Sequence, residues 1–139
     1  MPDSGYFKKR PCKESVHTLL KYLKSNPVVE DVTLESEETL VLKRKNKADL
    51  RVHLTNTYIV GYADVHEILS EDPAVNAIVT MSQWNGYTDT AKLNCKDRGV
   101  GLFKFGEFLG AVYYEGKKFV DYSPPSDEER EARRRRRWR

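Results

Sequence analysis

Residues 76–112, NAIVTMSQWNGYTDTAKLNCKDRGVGLFKFGEFLGAV, decide the fold. Asn76 to Met81 is an apolar run without alternation, as expected for a strand covered on both faces. A loop from Ser82 to Tyr87 follows. Thr88 has the side chain of a helix N-cap, and the helix it opens runs to Arg98, with Gly99 as its stop. Val100 to Phe105 reads as a second strand and Glu107 to Tyr113 as a short helix. Two strands joined through a helix pair in parallel, so this half of the chain predicts a parallel sheet.

Toward the N-terminus the periodicity changes twice. Cys12 to Ser25 predicts a helix, because Val16, Leu19, Leu20 and Leu23 recur at helical spacing and leave Lys21 and Lys24 outside. Asn26-Pro27 ends it, since proline disfavours helix in the residue before it. Three alternating runs come next: Asp31 to Glu35, Thr39 to Lys45 and Asp49 to Thr55. Their connections are short enough for hairpins. Leu40 and Leu42 share one face, as do Leu50, Val52 and Leu54, which predicts a half-buried antiparallel sheet. Beyond Gly61, Val65, Ile68 and Leu69 predict a short helix ending near Asp72-Pro73. The predicted class is therefore α/β (α+β). Its mixed sheet has helices on both faces, in the order helix, three strands, helix, strand, helix, strand, helix. Lys117 to Tyr122 is expected to add an edge strand.

Composition agrees with one domain. The 139 residues include 39% apolar side chains and 11% aromatics, enough for a real core. Residues 1–11 read as a polar arm, 12–122 as the folded domain and 123–139 as a linker and tail that starts at Pro124-Pro125. Ser126-x-x-Glu129 fits a capping box, which predicts that the tail begins as a helix. No apolar run is long enough to span a bilayer, so no membrane partner is expected. Two cysteines, Cys12 and Cys95, without a secretory pattern suit a reducing, cytoplasmic setting, and Cys95 is expected to be a packing residue.

The stretch Ile78-Val79-Thr80, Tyr87-Thr88-x-x-Ala91-Lys92, Gly99-Val100-Gly101-Leu102 and Gly106-Glu107-Phe108-Leu109 resembles the Mrr-type branch of the PD-(D/E)xK nuclease superfamily. The resemblance covers about residues 76–112. It implies a restriction-endonuclease-like core and a divalent metal site in the first half. There, an Asp near the second strand and an acid or Gln on the third would hold Mg²⁺, with a Lys two residues later. Residues two apart on a strand reach the same phosphate. At the third strand this chain has His53 and Thr55 where that acid (or Gln) and Lys would stand, and no Asp lies on Thr39 to Lys43. The resemblance therefore implies a pseudo-nuclease with no catalytic residues and no metal or cofactor. A shifted site of Glu38, Asp49 and Arg51 holding Mg²⁺ is the active alternative.

Charge points to a partner. From Asp127 onward seven arginines face four acids, which accounts for the whole net charge of +3. Arg133, Arg134, Arg135, Arg136 and Arg137 form one run, the kind of cluster that binds phosphates irrespective of sequence. Lys43, Lys45, Arg51 and His53 are candidates for a cationic strip on the second and third strands, against the alternative of a merely solvated sheet face. Trp84 and Tyr87 lie in a loop after a strand and before a helix, where ligands of open α/β sheets sit. They are candidates for stacking on bases, or Trp84 packs over the sheet edge. The expected partner is thus nucleic acid, DNA or RNA, bound alone or within a processing or defence complex. A pure protein-interaction subunit, docking through an exposed sheet edge (the Lys117 to Tyr122 edge) or through the tail, is the remaining alternative.

Overall fold

The computed structural model describes residues 10–82, 84–125 and 127–137. Met1 to Lys9 of the polar arm and Ser126 of the capping box lie outside the described residues. The elements are α1 (Lys13–Lys24), β1 (Val29–Leu34), β2 (Thr39–Arg44), β3 (Leu50–Thr55), β4 (Ile59–Val60) and α2 (Tyr62–Glu71). They continue with β5 (Ala77–Thr80), β6 (Gly86–Tyr87), α3 (Asp89–Asp97), β7 (Gly101–Lys104), α4 (Phe105–Ala111), α5 (Lys117–Val120) and α6 (Asp127–Arg137). No described helix is long and apolar enough to cross a membrane.

One five-stranded sheet organises the chain in the order β1-β2-β3-β5-β7. β1, β2 and β3 pair antiparallel, while β3, β5 and β7 pair in parallel, so only β2 runs against the others. Alternation sorts the strands between two cores. Leu40, Leu42, Val52, Leu54, Val79 and Phe103 face the layer of α1, α4 and α5, where Leu19, Leu23, Phe108 and Phe119 fill the space. Ile78 and Leu102 face the opposite layer and meet Val65, Leu69, Ala91 and Cys95 of α2 and α3. Burial pushes the Cys95 thiol up to about 11, which suits a packing role. The expected mixed sheet with helices on both faces is what forms.

The local signals act as read. Asn26 Oδ1 accepts from the Val28 amide at 2.9 Å and turns the chain out of α1. Thr88 Oγ1 accepts from the Ala91 amide at 3.1 Å, and Gly99 takes φ +74° to end α3.

Two expectations need correction. Lys117–Val120 is a helical turn, not an edge strand, so docking through that edge loses its basis. Phe119 and Val120 are adjacent and both buried, which alternation forbids but a helix permits. Phe119 seats edge-on against Phe103 with centroids 5.2 Å apart. In addition, the loop from Ser82 to Tyr87 contains a strand. β6 pairs in parallel with β4 in a second, two-stranded sheet.

Arg44 is the least expected core residue. It shares a face with Leu40 and Leu42 and is 4% exposed. Its guanidinium donates to the carbonyl oxygens of Ala48, Val112 and Tyr114, tying the β2–β3 turn to the end of α4. Burial lowers its pKa, with Glu115 and Asp49 pulling the other way.

Candidate functional site

The sheet surface facing α2 and α3 is covered over β5 and β7 but only partly over β2 and β3. Here Arg51, His53 and Thr55 alternate toward the gap. Arg51 is no free cation: Nη1 meets Glu35 at 2.6 Å and Nε meets Asp72 at 2.8 Å, and these hydrogen bonds raise its pKa. Lys43 is exposed and stands opposite Asp31 of β1, and Lys45 is exposed beyond the strand. The cationic strip is therefore not assembled, because acids just beyond the ends of β1 and α2 close on its arginine.

A small cavity of about 110 Å³ sits beside His53, between β3 and α2. His53 Nε2 lies 3.9 Å from Glu38 Oε2. Burial lowers the imidazole pKa, against the pull of Glu71 and Asp72. Asp64 and Glu67 complete an acidic wall. Thr55, at the position where the resemblance expects lysine, shares a 2.8 Å hydrogen bond with Thr57. Among the described residues, no three His, Cys, Asp or Glu side chains form a group that could hold a metal.

The shifted site of Glu38, Asp49 and Arg51 is contradicted by register. Thr39 pairs with His53, and the Leu54 amide donates to Glu38 O at 2.7 Å, so Glu38 lies at the C-terminal end of β3. Asp49 precedes the other end of the same strand. Five residues of extended chain separate the two by roughly 17 Å, too far to share an ion.

The loop after β5 behaves differently at its two aromatics. Tyr87 is committed inward. Its hydroxyl donates to Glu107 Oε1 at 2.9 Å, and the ammonium of Lys92 lies 5.3 Å from its ring centroid. It is a structural post rather than a free stacking plane. Trp84 does not pack over the sheet edge; it is 75% exposed. The turn beneath it is fixed, with Asn85 buried and bonded through Nδ2 to Asn56 Oδ1 at 3.0 Å.

Lys92, beneath Tyr87, donates to Leu102 O and lies 4.4 Å from the Phe103 centroid. Burial pulls its pKa down to about 8, against the attraction of Glu107. Burial and the Glu107 carboxylate push the Tyr87 hydroxyl well above its usual value. Between about pH 8 and 9 the unfolded chain holds a proton on Lys92 that the folded chain sheds, so stability should rise with pH. Above about pH 9 the unfolded chain loses the Cys95 proton, and above about pH 10 the Tyr87 proton, both of which the folded chain keeps, so the rise is offset and stability then falls. Chemical denaturation across this range checks both limbs, and in Lys92→Met the rise below about pH 9 should vanish.

At the C-terminal ends of β5 and β7 a groove of about 630 Å³ runs between α1 and α4. Ser82 and Lys104 line it, and Arg130 of α6 borders it, bringing the tail to the side of the molecule that carries Trp84. α6 is exposed, with acids in its first turn and arginines toward its end, as the helix dipole favours. Arg135 pairs with Glu131 at 3.1 Å on the open surface. The side chain of Arg137 lies outside the described residues. Sequence reading misses Lys104 and the groove. The one signal for them is a lysine ending the apolar strand Gly101–Lys104. The chain matches no family model, no curated protein and no solved structure.

Proposed function

We propose that this chain is a nucleic-acid-binding domain on a nuclease-like scaffold that holds its ligand without cutting it. Its strand order and the reversal of β2 alone support the scaffold. His53 and Thr55, standing where the resemblance expects a metal-holding residue and a lysine, support the loss of cutting. The observation that carries the reading is α6. Arg133, Arg134, Arg135 and Arg136 are all exposed, and at about 100° per residue they spread charge around most of the helix. Such a surface engages phosphates from several directions and reads no sequence.

Binding to labelled oligonucleotides as a function of salt tests this. Log affinity should fall linearly with log salt, with a slope of about −3 or steeper if four or more phosphates are neutralised. Affinity independent of salt, or no binding at low salt, removes the proposal.

A further inference from the structure

The groove at the strand ends differs in character from the arginine helix beside it. Its floor is apolar, from Met81, Phe105 and Pro124. Its charges cancel: Lys104 and Arg130 stand against Glu14 and Glu107. Glu107 is already engaged, accepting from the Tyr87 hydroxyl and from the Lys104 amide at 2.9 Å. A phosphate gains little in a neutral, apolar-floored slot. A flat heteroaromatic ring gains the floor, and its edge finds the hydroxyl of Ser15 and the lone pairs of Ser82 Oγ, whose proton goes to Asn56 Oδ1. Trp84, two residues beyond Ser82, offers a second aromatic plane in solvent.

A duplex keeps the faces of its bases stacked inside and shows only edges and backbone, so it has no ring to insert. An unpaired strand has free faces, and stacking on aromatic side chains is how such strands are held without sequence preference. Resting on the nucleic-acid reading above, we propose that this groove is a base-binding site for single-stranded nucleic acid. Trp84 stacks on a neighbouring base, and the arginines of α6 hold the backbone.

The test uses the intact chain with Trp138→Phe as background, so that Trp84 is the sole tryptophan. Titration compares a short oligothymidylate, an oligouridylate and a duplex of the same length. The expected result is tighter binding of the single strands, with quenched Trp84 emission. Trp84→Ala should weaken single-strand binding by about 5- to 150-fold, the effect of losing one stacked base, and leave duplex binding unchanged. Gly106→Leu supplies an independent variant. Gly106 lines the groove, and a Cβ added there meets nothing within 4 Å, so a larger side chain has open space at its root. It should lower single-strand affinity while the melting temperature holds. Equal affinity for duplex and single strand overturns the inference and leaves the broader reading standing. So does single-strand binding indifferent to both variants. Failure to bind any of the three overturns both.

Discussion

Glutamine at Arg133, Arg134, Arg135, Arg136 and Arg137 together is expected to lower nucleic-acid affinity on the order of 10³-fold at moderate salt. Each phosphate neutralised contributes about 0.7 to the log–log salt slope on a single strand and about 0.9 on a duplex. Five lost contacts flatten the slope by roughly 3.5 to 4.5. The fold should not suffer, because α6 is exposed from Asp127 to Arg136 and the ion pair of Arg135 with Glu131 is solvent-screened. Circular dichroism melts identical to those of the parent chain, beside a flattened salt dependence, are the expected pair of results. An unchanged slope places the phosphate contacts elsewhere.

Arg44→Ala is expected to destabilise the domain by about 3 kcal/mol, a fall in melting temperature of roughly 10 °C. Three carbonyl oxygens, of Ala48, Val112 and Tyr114, lose the charged donor that satisfies them inside the protein. The ring of Phe119, 5.8 Å from the guanidinium carbon, loses a neighbour as well. Lysine should rescue little, because a single ammonium does not reproduce the planar fork that reaches Ala48 on one side and Val112 on the other. Denaturant titration measures both variants. A loss below about 1 kcal/mol in Arg44→Ala would mean that these carbonyls find water when the side chain is removed.

Arg44 and the arginines of α6 also mark how far sequence reaches. The alternation of Leu40, Leu42, Leu50, Val52 and Leu54 is a local property, and it places β2 and β3 with the correct faces. Thr88 and Gly99 bound α3 because capping is settled within one turn of helix. The same alternation assigns Arg44 to the core face, yet its charge argues for the surface. The carbonyls of Val112 and Tyr114, which hold it inside, lie 68 and 70 residues away. Arg51 reads as a free cation in sequence because Glu35 and Asp72, 16 and 21 residues distant, meet it only in the folded chain.

Length is the second limit. β4 and β6 contribute two residues each, too few for any period to register, so in sequence their pairing reads as loop. From Lys117 to Tyr122 the mixture of charge and aromatics suggests an edge strand. The buried pair Phe119 and Val120 needs the third dimension to become a helical turn. The site follows the same rule. The arginine run is legible outright, whereas the groove is made from α1, two strand ends and the first turn of α4, which no single stretch reveals. Trp84 and Tyr87 are three residues apart in one loop and take opposite fates, one projecting into water and one bonded to Glu107, twenty residues later.

The decisive measurement combines binding and strand length in one tube. The intact chain is titrated against end-labelled single-stranded and duplex oligonucleotides in Mg²⁺ and in Mn²⁺, and each mixture is run on native and on denaturing gels. A saturable shift that weakens with salt, with the oligonucleotide recovered at full length, is the predicted result. Shortened products, or no shift under low salt, would contradict a domain that grips nucleic acid without cutting it.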